Sequence, residues 1–330
     1  MPLPSSSLVL LDGSTGHELK ARGVLASFEG AMLANLRQPD VVTAIHAEYV
    51  DAGCDIVTTN TFTLTPDELA RQGRDAELAP LLHAACGCAR AAADAAAGNR
   101  AVRVAGCLSP LQHCYLPELV KAPSEMVRQY EQIARELAPR VDLFLCETLC
   151  HSSEAIAALQ ATATLGKPVW TSFTLHDQTT GPPTLRGDEY VGDAVAALEN
   201  AKLAPQALLY NCCAPQVLTM ALRQTLDKLP ESVERLGGYA NGFQSTTSQW
   251  LHESGASQQG CSGERHNFAC PMCAANYDDA GCITPEAYRS HAIEWVESGA
   301  SVVGGCCGVG PRHMRAIAEW RDFPESRLEN

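Results

Sequence analysis

Three observations predict an α/β fold of the (β/α)8 TIM barrel type for this chain. Short aliphatic or β-branched runs alternate with stretches of helical spacing, and eight such pairs can be read in order. Several runs are apolar on both faces, Leu8-Val9-Leu10-Leu11 and Leu143-Phe144-Leu145 among them. Strands covered by helices outside and packed against each other inside need that pattern. The length, 330 residues, suits one closed barrel as well as two ordinary domains. A single barrel domain over residues 1–330 is therefore expected.

The strands are read at Leu8–Leu11, Ile56–Thr59, Val102–Ala105, Leu143–Cys146, Val169–Phe173, Ala207–Tyr210, Gly238–Ala240 and Ser301–Val303. Helical spacing marks Pro39–Ala52, Asp75–Ala97, Ser124–Leu137, Ser152–Leu165, Glu189–Leu203, Pro215–Leu229, Thr284–Ser298 and Pro311–Arg321. Thr284-Pro285 labels one helix start, because threonine can cap and proline at the first helical position gives up no hydrogen bond. Asp40 is expected to cap its helix similarly. Residues 244–283 break the rhythm: they are polar, contain glycine and have no strong period. An irregular insertion of that length between strand seven and its helix reads as a lid or an added binding element.

Composition narrows the function. With 46% hydrophobic and 19% charged residues, the chain is globular rather than disordered. Lys and Arg total 24 against 38 Asp and Glu, a net charge of −14, which repels phosphate backbones and anionic lipid surfaces. Neither nucleic acid nor a membrane is expected as a partner. The alanine-rich stretch from Leu78 is interrupted by His83, Arg90 and Asp94, so no uninterrupted span of about 18 apolar residues forms. The opening MPLPSSSLVLLDG lacks the basic and apolar regions of a secretory signal, and a cytoplasmic location is expected. Fifteen cysteines are many for a reducing compartment, and an odd number cannot all pair, which turns attention to metal ligation or catalysis.

Residues at the carboxyl ends of barrel strands converge on one face, where such barrels place active sites. There the expected strands deliver Asp12, Asn60, Thr61, Glu147, Cys212, Cys213, Asn241, Cys306 and Cys307. Val303-Gly304-Gly305-Cys306-Cys307-Gly308 is the sharpest element. Adjacent Cα atoms lie about 3.8 Å apart, short of the roughly 4.4 Å that disulfides need, so the vicinal pair reads as two free thiols. One more thiol from Asn211-Cys212-Cys213 would give zinc three sulfur ligands and one open position, the pattern of a catalytic site. A second group, Cys261, His266, Cys270 and Cys273 in the insertion, includes a C-x-x-C and could hold another metal.

The chain resembles the zinc-dependent homocysteine S-methyltransferases, relatives of betaine–homocysteine methyltransferase and of the homocysteine domain of cobalamin-dependent methionine synthase. The resemblance runs through Leu11-Asp12-Gly13, Thr59-Asn60-Thr61-Phe62, Cys146-Glu147-Thr148, Asn211-Cys212, Tyr239-Ala240-Asn241-Gly242 and Gly304-Gly305-Cys306-Cys307-Gly308. It implies Zn2+ held by Cys212, Cys306 and Cys307, with Cys213 as the extra neighbour. It also implies that Asp12 and Glu147 receive the ammonium group of homocysteine, and that Thr61 and Asn241 contact the substrate. The product would be methionine, made from a cationic methyl donor, since a trithiolate zinc site carries net negative charge. Betaine enzymes of the family enclose their donor with tyrosines, where this chain has Thr65 and Thr148. The expected donor is therefore a sulfonium, S-methylmethionine before S-adenosylmethionine. Betaine as donor, selenocysteine as acceptor, and a zinc-thiolate storage or redox protein are the alternatives. The last barrel helix lies close to Asn330, and without a long arm beyond it a monomer or weak dimer is expected.

Overall fold

The computed structural model describes residues 8–24, 28–97, 100–112, 114–177, 180–243, 276–278 and 281–323. Eight strands are present: β1 (Val9–Leu10), β2 (Ile56–Thr58), β3 (Arg103–Leu108), β4 (Leu143–Leu149), β5 (Val169–Thr174), β6 (Ala207–Asn211), β7 (Arg235–Tyr239) and β8 (Val302–Val303). All neighbours pair in parallel, in the order β1-β8-β7-β6-β5-β4-β3-β2. A parallel bridge from Leu11 to Ile56 joins the two ends, giving the expected TIM barrel. β7 begins earlier than the sequence suggests. Its Gly237 and Gly238 weaken the strand signal, yet a Cβ on Gly237 would stand 2.0 Å from the Val302 carbonyl oxygen, so glycine is what allows β8 to approach.

Around the strands lie α1 (Thr15–Ala21), α2 (Phe28–Arg37), α3 (Pro39–Asp51), α4 (Pro66–Arg71), α5 (Leu78–Asp94), α6 (Pro123–Leu137), α7 (Ser152–Thr162), α8 (Val191–Asn200), α9 (Pro215–Leu226), α10 (Pro285–Glu297) and α11 (Pro311–Asp322). Three of them, α1, α2 and α4, add to the eight expected helices. Two carry legible starts: Ser14 accepts from the His17 amide and Thr65 from the Glu68 amide. Thr284 caps α10 by accepting from Ala287 N, with Pro285 at the first turn. Asp40 does not cap α3. Pro39 already occupies the first helical position after Gln38, so Asp40 lies inside the first turn, where its charge still suits the helix dipole.

Alternation along the strands divides the core in two. Leu11, Ile56, Leu143, Leu145, Trp170, Leu209 and Val302 fill the barrel interior. Leu10, Val57, Phe144, Phe173 and Tyr210 face outward under the helices. Trp170 is fully buried in the interior layer, its indole N–H donating to Gln206 Oε1 at 3.0 Å. It packs the barrel.

The two ends of the insertion pair with each other: Phe243 bridges Cys282 and Tyr277 bridges Ile283. Cys282 is disulfide-bonded, unlike the buried free thiols Cys54, Cys86, Cys107 and Cys146. Cys261, His266, Cys270 and Cys273 lie outside the described residues. Among the described residues no helix is long and apolar enough to cross a membrane.

Candidate active site

Backbone hydrogen bonds stitch the loops at the carboxyl rim to one another. Gly305 N donates to Asp12 O at 3.0 Å, Cys306 N to Ala240 O at 3.0 Å, Gly242 N to Cys307 O at 2.7 Å and Asn241 N to Cys213 O at 2.9 Å. Tyr288 adds a side-chain tie, its hydroxyl 2.8 Å from the Gly304 carbonyl and 3.0 Å from that of Ala240. The loops after β1, β6, β7 and β8 thus form one connected rim.

That rim gathers Cys212, Cys306 and Cys307. Their sulfurs all lie within 4.8 Å of one another, with Cys212 and Cys306 2.7 Å apart. These distances bracket the sulfur–sulfur edge of about 3.8 Å that follows from Zn–S bonds of about 2.3 Å in a tetrahedron. A donor set of sulfur alone suits zinc and other thiophilic ions, so the residues fit the metal that the resemblance implies. Three thiols this close cannot all ionise without a cation. The Cys212 and Cys306 thiols donate toward Cys307 and hold its pKa well below the usual thiol value. Cys213 does not join them. It is fully buried in the outer core, away from the sulfur cluster.

The turn that presents Cys212 is unusual. Its φ is +53°, in the left-handed region that β-carbon-bearing residues seldom adopt. Thr148 (φ +63°) and Tyr115 (φ +67°) share the feature, and all three line the same cavity. Such outliers persist where surrounding structure holds them. For Thr148 the holder is Asn211, which accepts from Thr148 N and Ser172 Oγ and donates to Thr148 Oγ1 at 2.8–3.0 Å.

The cavity, of about 200 Å3, is lined by the three clustered cysteines together with Asp12, Thr58, Phe62, Cys114, Tyr115, Glu147, Thr148 and Tyr239. Glu147 reaches it from a β4 whose register against β5 slips between Cys146 and Leu149, an irregularity of the sort that re-aims a side chain at a rim. Its Oε2 accepts from Tyr239 OH at 3.0 Å. Asp12 accepts from Thr58 N (2.7 Å) and from Thr58 Oγ1 (2.8 Å). Burial pushes both carboxyl pKa values up to about 7, because a charge out of water is costly without a counter-ion. No Lys, Arg or His is among the described lining residues. The cavity is therefore built to receive positive charge.

Two expected substrate contacts are placed elsewhere. Thr61 is buried in the wall, donating to Cys107 O and sharing a hydrogen bond with Thr59, and does not line the cavity. Asn241 is buried in the rim stitching, its amide bonded to Cys213 O, rather than in the lining. The amide of Ser14, two residues beyond Asp12, donates to Val309 O at 3.0 Å. Tyr115 and Asn211 have no counterpart in the expected set. Tyr115 sits in an irregular loop without periodicity, and Asn211, just past the expected strand Ala207–Tyr210, enters the sequence reading only as the neighbour of Cys212.

Comparison with known proteins agrees with this geometry. The profile of the homocysteine S-methyltransferase family matches residues 9–321. Betaine–homocysteine S-methyltransferase 1 from Bos taurus is 26% identical over 325 residues, covering 96% of this chain and 73% of its own length. The metallated form of the homocysteine methyltransferase MmuM from Escherichia coli superposes with a TM-score of 0.73 at 25% identity, over 94% of this chain and 96% of that one. Its oxidized form gives 0.72 at the same identity, over 94% and 95%.

Proposed function

The chain belongs to the homocysteine S-methyltransferase family and is a methyltransferase of that family; from that premise we propose zinc-dependent methyl transfer from a sulfonium donor to homocysteine, giving methionine. The observation that carries the reading is a single cavity in which three clustered thiols face two buried carboxyls, with no cationic residue in the described lining. Cys212, Cys306 and Cys307 would hold the metal. Zinc, when bound, supplies deprotonation of a coordinated thiol, which at its free pKa near 8.5 is mostly protonated at neutral pH.

The chain's own residues do the rest. Asp12 and Glu147 take the substrate ammonium, whose charge restores both carboxylates to the ionised form. Thr58 and Tyr239 fix their orientation through the hydrogen bonds described above. Phe62, Tyr115, Leu145 and Leu11 keep water from the reacting sulfur. Negative charge on the walls favours a cationic methyl donor, whose positive charge and the negative charge of the acceptor sulfur would cancel as the methyl group passes from the donor sulfur to the acceptor sulfur.

Thr65 and Thr148 bear on the donor. Thr65 caps α4 and Thr148 is tied to Asn211. Neither offers an aromatic face. Tyr115 does, but the Arg186 guanidinium already lies over its ring, 4.8 Å from the centroid, which weakens that ring's attraction for a second cation. This supports S-methylmethionine over betaine.

The test is methionine formation by reduced, zinc-loaded protein with homocysteine and each donor in turn. S-Methylmethionine is expected to give the highest kcat/KM. A higher value with betaine would overturn the donor assignment, and no methionine from any donor would overturn the reading.

A further inference from the structure

The left-handed turn at Cys212 is held from behind by charged residues that do not line the cavity. Thr174 Oγ1 donates to Cys212 O at 3.1 Å. Arg186 Nε donates to that same hydroxyl at 3.4 Å, while its Nη2 pairs with Asp177 Oδ2 at 3.1 Å. Asp177 Oδ1 accepts from Ala214 N at 2.7 Å. The backbone is thus gripped on both sides of Cys212-Cys213. The same guanidinium covers the Tyr115 ring, fixing a second left-handed residue of the wall.

The donor directions are consistent along the chain of bonds. Arg186 can only donate, so the Thr174 oxygen accepts from it and its proton points to the Cys212 carbonyl. Arg186 and Asp177 have side chains only 5% and 6% exposed. Burying such a pair costs desolvation that its attraction need not recover, and apolar residues would pack the same space as well or better. Barrel closure does not call for it. Arg186 lies in the loop between β5 and α8, where its amide donates to Thr174 O.

We propose that Arg186 and Asp177 are positioning residues for the ligand Cys212, acting through Thr174 and Ala214 to keep its sulfur aimed at Cys306 and Cys307. This rests on the zinc reading above. Outer partners of this kind typically change metal affinity by about 10- to 100-fold.

The experiment compares wild type with Arg186→Met, Arg186→Lys, Asp177→Asn and Thr174→Val in the absence of substrates. Zinc affinity is measured by competition with a chromophoric chelator, and ligand geometry by the thiolate-to-metal charge-transfer spectrum of the cobalt-substituted protein. Arg186→Met is expected to weaken zinc binding about 10- to 100-fold and to shift the cobalt spectrum. Arg186→Lys, which keeps the charge but not the planar fork, should fall between it and wild type. Thr174→Val should weaken zinc in the same direction, and as a near-isosteric change it decides the matter if Arg186→Met does not fold. Wild-type affinity and an unchanged cobalt spectrum in folded Thr174→Val and Arg186 variants would overturn the proposal while leaving the zinc reading intact. Failure of wild type itself to bind zinc stoichiometrically would overturn both.

Discussion

Asp12 carries a cost in the substrate-free protein that the proposed substrate ammonium would remove. Its pKa stands at about 7 in the fold against about 3.9 in an unfolded chain. Between those values the folded state holds the extra proton, so stability falls as pH rises from about 4 to about 7 and stays reduced above. Glu147, also raised to about 7, acts in the same direction. Asp12→Asn should therefore raise the melting temperature of substrate-free protein at pH 8 by on the order of a few °C, and do little at pH 4. The asparagine can keep its carbonyl toward Thr58 N and offer its amide to Thr58 Oγ1, so the local bonds survive. Homocysteine binding should suffer instead, with KM rising about 10- to 100-fold from loss of a charge-assisted contact. Thermal melts across pH and initial-rate kinetics check the two halves. Cys306→Ala removes one sulfur of three and should abolish both stoichiometric zinc, read by metal analysis, and methionine formation.

The elements decide how accurately those residues are presented. Gly305 links β8 to the vicinal cysteines, and a Cβ there would meet Val309 Cγ1 at 2.2 Å and Val309 Cβ at 2.7 Å. Gly305→Ala must push the turn away from Val309 and displace Cys306. Zinc affinity should drop about tenfold or more, as for other losses of ligand support, with helix content unchanged by circular dichroism. The sequence exposes this turn because two glycines flanking two cysteines after a β-branched pair have few other uses. That Cys212, Asp12 and Glu147 reach the cavity is legible for a related reason: each follows an apolar strand run. Thr61 and Asn241 share that position yet turn into the wall and the rim stitching. Strand-end placement fixes which rim a residue joins, while the direction of its side chain depends on local register and on partners such as Cys107 O. The β4 irregularity is likewise invisible beforehand, since nothing in Cys146-Glu147-Thr148 marks where one strand gains a residue on its neighbour. Arg186 and Asp177 meet only through a loop, and neither periodicity nor spacing announces the contact.

The barrel as a whole is sewn unevenly, and its thinnest seam runs through β1. The long strands β3 to β7 each have five to seven residues, whereas β1 and β8 have two. A single bridge, Leu11 to Ile56, closes β1 on β2. Alternation of apolar runs was enough to number the strands, because eight parallel strands covered by helices have few other ways to close. How firmly each pair is held depends on side chains that the pattern does not weigh. At this seam Asp55 supplies the hold. Its Oδ2 accepts from Leu10 N at 2.8 Å and from Arg321 Nη1 of α11 at 2.6 Å, and its backbone bonds to both Leu10 and Arg103. One carboxylate thus ties β1, β2 and the last helix at the end of the barrel away from the cavity. Asp55→Ala removes the acceptor from Leu10 N and the counter-ion from Arg321. A loss of about 2–4 kcal/mol in urea unfolding is expected, as for breaking a partly buried pair with a hydrogen-bonded amide. Hydrogen exchange should localise it: the Leu10 and Leu11 amides should lose protection first, and those of Leu209 and Tyr210 in β6 should change only with global stability. KM for homocysteine should stay within about twofold while the barrel is closed, since Asp12 takes its orientation from Thr58 and not from Asp55. Equal loss of protection in β6 would show instead that the seam opens only with the whole barrel.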